Sequence, residues 1–174
     1  MKYLMALALG CALAGSLRAD DGVLFQFNGV GAKAGSTIQD LGASSTGGGG
    51  GLAVVLGDDL WRLRCRFDGF SFPGTEGGQA VNIFTLGADA MAIFSTPEDN
   101  FRPFFSVGPG LAQWHVGQLV GVPVDKTFNK FSARVEAGVW IQERFAVYLG
   151  LFTGDAQPGR RANCPYVGLS YNPF

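Results

Sequence analysis

Arg62, Arg64 and Arg66 recur at every second position in the run Trp61-Arg62-Leu63-Arg64-Cys65-Arg66-Phe67-Asp68. In an extended chain that spacing sets the guanidiniums and Asp68 on one face, with the apolar residues on the other. Asp89, Arg134 and Glu136 sit in apolar runs of the same kind and hold the same polar phase. Such a set has two chemical uses. It can pair within itself as a network of ion pairs and hydrogen bonds, or it can line a charged conduit for small solutes. Burying an isolated charge is prohibitively costly, so a paired network that fills an interior is the expectation.

The residues that could do catalysis are fewer. His115, the single histidine, follows Trp114. Enzymes that cut or transfer lipid acyl chains need a histidine with a nearby Ser or acid. Gly117 and Gln118 come next instead, so His115 is expected at a rim and no catalytic residue is assigned. No Cys/His set has metal-ligand spacing. Gly29 and Gly31 are not followed by a helical pattern, which excludes a dinucleotide loop. Gly47 to Gly51 reads as a flexible loop entering a strand. No cofactor is therefore expected. The formal net charge is −1, without the basic stripe a nucleic-acid partner requires. Cys65 and Cys164 fall in strands that are not neighbours, and bridged Cα atoms lie within about 7 Å, so free thiols are expected.

What must position the charged set is a β structure in an unusually apolar chain. Charged residues are 16% of the 174, against roughly 25% in an ordinary soluble domain. Yet no internal stretch reaches the ~18 apolar residues of a spanning helix. Residues 1–19 read as a cleaved signal peptide: Lys2, an apolar core from Leu4 to Leu13, and a small-residue exit from Ser16 to Ala19. Removing Lys2 and Arg18 leaves 11 basic residues against 14 acidic ones, a net charge of −3. The alternative, Cys11 as a lipid acceptor, has a very short apolar segment before it. Residues 20–174 are long enough for one domain.

That domain breaks into eight β-like runs, at 22–34, 49–57, 60–72, 80–94, 101–116, 130–142, 144–154 and 164–172. Connections one, three, five and seven (35–48, 73–79, 117–129 and 155–163) share one rim and are longer on average. Connections two, four and six share the other and are shorter, around Gly57-Asp58-Asp59, Ser95 to Asn100 and Gln142-Glu143-Arg144. Short turns on one rim and longer loops on the other mark membrane-spanning barrels. Alternation is the second sign. In 130–142 one face reads Phe131, Ala133, Val135, Ala137, Val139 and Ile141, and the other carries Lys130, Ser132, Arg134, Glu136 and Trp140. A soluble sandwich would bury the apolar face. The small residues Gly108, Gly110, Ala112, Gly138, Gly150 and Gly168 fall on the polar-phase face, where a narrow eight-stranded barrel needs room. Aromatics near both rims, among them Trp61, Phe101, Phe104, Phe105, Phe145 and Tyr148 at one and Trp114, Phe131, Tyr166 and Phe72 at the other, fit interfacial girdles. The expected fold is all-β, an eight-stranded antiparallel up-and-down transmembrane β-barrel.

The chain ends Tyr166-Val167-Gly168-Leu169-Ser170-Tyr171-Asn172-Pro173-Phe174. This segment resembles the closing strand of bacterial outer-membrane barrels, and the Gly-Leu-Ser-Tyr run resembles the opacity-type and OmpA-type eight-stranded barrels. The resemblance implies that Val167, Leu169, Tyr171 and Phe174 form a signal for the barrel-assembly machinery, and that the barrel sits in outer-membrane lipid. Tyr171 and Phe174 are three apart where that family spaces its final aromatics by two, and Pro173 cannot donate to a ladder.

The function that follows is a structural or surface-interaction outer-membrane protein, non-enzymatic, whose loops meet a surface ligand while the charged interior is plugged. Two alternatives stand beside it: a narrow channel or carrier for small or apolar molecules, and a soluble periplasmic barrel of lipocalin type. A lipid-modifying enzyme built around His115 is the third.

Overall fold

The computed structural model describes residues 23–96, 98–117, 126–157 and 160–173. The proposed leader, most of the fifth connection and Phe174 lie outside the described residues. Eight strands follow in order: β1 Val23–Lys33, β2 Thr46–Gly57, β3 Trp61–Phe72, β4 Val81–Ile93, β5 Phe101–Val116, β6 Lys126–Ile141, β7 Phe145–Gln157 and β8 Arg160–Tyr171. Each pairs antiparallel with the next, and β8 returns to β1, so the sheet closes on itself. A single helical turn, α1 (Ser36–Gln39), lies in the first connection. Among the described residues no helix is long and apolar enough to cross a membrane.

The register fixes how steeply the strands tilt. Pairs traced from Gln26 run through Ala53, Arg66, Gly87, Gly110, Ser132 and Gly154, and reach β8 at Ala162. Phe27 faces Tyr171, which places Asn172 beside Gln26. Ala162 and Asn172 are ten residues apart, and that offset is the shear of the barrel. Residues well separated along a row therefore meet at one height inside.

Alternation divides the wall cleanly. Along β3 the exposed residues are Trp61, Leu63, Cys65 and Phe67, and the buried ones Arg62, Arg64, Arg66 and Asp68. The outward set elsewhere includes Leu86, Val107, Leu111, Val135, Leu149, Leu151 and Leu169, each at least 40% exposed. Here the exposed face is apolar and the enclosed face holds the charges, the inverse of a soluble sandwich. Cys65 points outward, Cys164 inward, and both are free thiols.

Several expectations require correction. Strand β6 begins at Lys126, not 130; β7 runs to Gln157 and β8 starts at Arg160. The seventh connection is thus mostly strand. Its polar and glycine residues have low strand propensity, but each strand completes the other's ladder, and pairing overrides propensity. Strand β2 takes in the whole Gly47–Gly51 run, paired to β1 throughout and to β3 from Gly48 onward. The aromatic girdle is thinner than expected. Trp61, Phe101 and Phe145 point outward, as does Phe131 at the loop rim, but Phe72, Phe104, Trp114, Tyr148 and Tyr166 point inward and are buried. They occupy the lumenal phase of their strands, so their parity, not their rim position, decides.

The two rims are built differently. In the tight β2–β3 turn, Leu60 N–H and Trp61 N–H donate to Asp58 Oδ1 at 2.9 and 2.7 Å. Those two bonds hold the Asp58 carboxyl below the usual carboxylate range. On the loop side the first connection folds over the barrel mouth. Ile38 of α1 is fully buried, Thr37 Oγ1 donates to Arg161 O at 2.9 Å, and Gln39 Nε2 donates to Ala34 O at 2.8 Å. The same connection is tied to the third by an antiparallel bridge between Ala43 and Gly74 and by Thr75, whose N–H and Oγ1 both donate to Gly42 O.

Candidate functional site: the charged lumen

Six of the seven charged residues expected to share the lumen meet at its centre. Arg64 and Asp89 face each other directly on β3 and β4. Arg64 donates through Nε and Nη2 to Asp89 Oδ2 at 3.1 and 2.8 Å, and through Nη2 to Ser106 Oγ at 3.1 Å. The same Nη2 reaches Glu136 on β6. Arg66 bridges the same two acids, to Glu136 Oε1 at 2.7 Å and Asp89 Oδ1 at 2.9 Å. Arg134 donates to Asp68 Oδ2 at 2.6 Å and Thr85 Oγ1 at 2.8 Å. Tyr166 OH also donates to Glu136. Three guanidiniums thus meet three carboxylates, all nearly fully buried. An assembly of charges in a low-dielectric interior stands only when each charge is paired and its hydrogen bonds are satisfied, as these are.

Small residues opposite make the room. A Cβ on Gly108 would lie 2.5 Å from Asp89 Oδ1, so the glycine across the β4–β5 seam is what lets that carboxylate turn inward. A cavity of about 10 Å³, about one water molecule, lies beside Arg66 and Arg134 against Gly87, Gly108 and Gly110.

Above this layer, toward the loops, the lumen is aromatic. The Arg134 guanidinium lies 5.2 Å from the Phe70 ring, 5.8 Å from Phe152 and 5.6 Å from Tyr166. Stacking of this kind favours Arg over Lys, because the planar guanidinium is weakly hydrated. Trp114 packs on Phe152 with ring centres 6.2 Å apart.

Arg62 is the seventh residue, and the structure places it elsewhere. It lies at the turn rim, where Nη2 pairs with Glu143 at 3.2 Å and Nε donates to Asp58 O at 3.0 Å. Arg102 contacts the same Glu143 carboxylate and donates to Asp59 O at 2.7 Å. These two arginines clasp the β2–β3 and β6–β7 turns together. Sequence reasoning missed Arg102, Glu143, Ser106, Thr85 and Tyr166. Parity along the strands would have found all but Glu143, which sits in a turn where no period applies.

His115 Nδ1 lies 3.1 Å from Thr127 Oγ1 near the loop rim. Among the described residues no three His, Cys, Asp or Glu side chains could hold a metal ion. Val167, Leu169 and Tyr171 line the outer face of β8, at 49, 62 and 42% exposure. Pro173 follows the last paired residue and Asn172 turns inward, its N–H bonded to Arg144 O.

No family model matches the chain, and no curated protein matches it. Solved structures do. Neisserial surface protein A superposes with a TM-score of 0.60 at 16% identity, over 86% of this chain and 96% of that one. The N-terminal β-barrel domain of Pseudomonas aeruginosa OprF gives 0.55 at 16% identity, over 87% and 98%. Ail, the attachment invasion locus protein of Yersinia pestis, gives 0.54 at 9% identity, over 86% and 97%. These neighbours are eight-stranded outer-membrane barrels, this chain closes eight strands in the same way, and its fold is that of the small eight-stranded outer-membrane β-barrels.

Proposed function

We propose that this chain is an outer-membrane protein, exported by the cleaved leader at 1–19, in which residues 20–174 form a plugged barrel that carries a surface-interacting loop rim. The observation that carries this reading is the inversion of the wall. An apolar outer face suits lipid, and a centre filled by Arg64, Arg66, Asp68, Asp89, Arg134 and Glu136 suits no soluble apolar cavity. A lipocalin-type barrel would reverse both.

The interior role is structural filling. Every guanidinium of the central layer is held by at least one carboxylate, and the cavity beside Arg66 and Arg134 is about one water in size. A conduit for solutes would need both the pairs and the Phe70–Phe152–Tyr166 aromatic layer to move aside. The loop rim is the working surface. The tie between connections one and three, with α1 seated on β8, gives that rim a fixed shape, as suits a binding face. Ail has been crystallised in complex with the heparin analogue sucrose octasulfate; for this chain the proposed surface ligand is met by the loops. No enzymatic role is assigned. Val167, Leu169, Tyr171 and Phe174 are the proposed signal for the barrel-assembly machinery, with outer-membrane lipid as the resident partner.

Planar-bilayer recording of the refolded protein tests the plug. A barrel filled in this way gives no discrete conductance steps, whereas reproducible single-channel steps would favour the conduit.

A further inference from the structure

The outer wall is not evenly covered. On β4 the outward residues Ala90 and Ala92 are short, while their outward neighbours are large. Trp61 faces Ala92 across the β3–β4 seam, and Phe105 and Val107 face Ala92 and Ala90 across the β4–β5 seam. The alanines form the floor of a groove along the strand, and the larger side chains form its walls. Leu60 and Phe94 line its turn end, where Ile93 N–H donates to Leu60 O at 2.9 Å and carries the sheet onward. The groove holds about 470 Å³, within the roughly 300–1,000 Å³ of small-molecule sites.

The charge at that turn end has one sign. The two connections that border it carry Asp58, Asp59, Glu98 and Asp99, and no basic residue falls in 56–61 or 93–101. Arg62 and Arg102 approach from the lumen, but both pair with Glu143, and Arg102 comes only within 4.0 Å of the Asp59 carboxylate. Asp59 stays more than half exposed, and Glu98 and Asp99 are exposed. An anionic headgroup is repelled here. A second copy inserted in the same sense would bring the same carboxylates to the same level, and like charges facing each other oppose that contact.

We infer that this groove docks one acyl chain of a phospholipid whose headgroup ends in a primary ammonium. The inference rests on the outer-membrane reading above. Lipid tails are as apolar as the groove, so the tail contact brings shape and the headgroup brings selectivity. A primary ammonium offers three N–H donors to carboxylates such as Asp59 and Glu98; a trimethylammonium offers none. Trp61 carries an indole N–H for the ester or phosphate oxygens, the usual place of that ring at a membrane interface.

Native mass spectrometry tests this on the refolded barrel, in micelles doped equally with phosphatidylethanolamine, phosphatidylcholine and phosphatidylglycerol of the same acyl chains. One phosphatidylethanolamine is expected to stay bound at about fivefold the level of phosphatidylcholine, as much as an exposed charge pair allows. Ala90→Phe fills the groove from the outer face and should lose the bound lipid. Asp59→Asn combined with Glu98→Gln should keep a lipid but lose the preference. Equal retention of the three lipids, retention unchanged in Ala90→Phe, or a preference that survives the double variant would overturn the inference. So would a dimer that Ala90→Phe dissolves, because a second copy would then fill the groove. Electrophoresis of the same samples with and without boiling separates the two claims. A heat-shifted barrel with equal retention removes the lipid site and leaves the membrane reading standing; a sample without a heat shift removes both.

Discussion

The ring of Tyr166 occupies the space over Gly150, its cross-strand partner: a Cβ added to that glycine would lie 2.2 Å from Tyr166 Cζ. The same relation recurs one pleat away, where a Cβ on Gly168 would lie 2.2 Å from Tyr148 Cζ. Each tyrosine thus lies flat against the wall of the β7–β8 seam, in a slot only glycine leaves. Gly150→Ala is expected to destabilise the barrel by about 1–3 kcal/mol, as overpacking does. The check is a double-mutant cycle by urea unfolding in micelles. In a Tyr166→Ala background the cost of Gly150→Ala should largely vanish; a full cost there would mean the ring is not what the added methyl meets.

Glu136 is shared by Arg64, Arg66 and Tyr166. Removing it leaves two buried guanidiniums short of charge. Glu136→Ala is therefore expected to cost about 3–5 kcal/mol. Ser106→Ala, which removes one neutral partner of Arg64, should cost only about 1 kcal/mol. Equal effects in denaturant titration would contradict the ionic account.

The β6–β7 turn carries two non-glycine residues at positive φ, Gln142 at 51° and Glu143 at 56°. Gln142→Gly should relieve strain and raise stability by roughly 0.5–1 kcal/mol, the left-handed penalty less the entropy of glycine. Glu143→Gly loses the Arg62 and Arg102 contacts along with the strain, so it should lower stability instead. Unfolding midpoints of opposite sign for the two variants are the expected result.

The two cysteines report the two faces. In vesicles a membrane-permeant, lipophilic thiol reagent should label Cys65, which faces outward, and leave Cys164, which is buried, untouched. Mass spectrometry of the labelled peptides decides it. Label on Cys164 alone would mean that the wall is turned the other way.

Much of this was legible in the residues, because a barrel strand writes its own address in a period of two. Arg62, Arg64, Arg66 and Asp68 alternate with Trp61, Leu63, Cys65 and Phe67, and both faces follow from that. Other features were not legible, for physical reasons. Trp114 and Tyr166 look like girdle residues by type, and only their phase relative to Ala112 and Gly168 turns them inward. The partners of Arg62 depend on shear and turn geometry, which bring Glu143 beneath β3 from far along the chain. The upper parts of β7 and β8 have loop composition, yet each supplies the other's hydrogen bonds.

The claim on which everything else rests is that the apolar outer wall lies in the outer membrane around a closed, ion-paired centre. Envelope fractionation followed by electrophoresis with and without boiling tests it most directly. The account predicts a protein that partitions with the outer membrane and migrates differently before and after heating. A protein found in the aqueous periplasmic fraction, with identical migration in both samples, would contradict it.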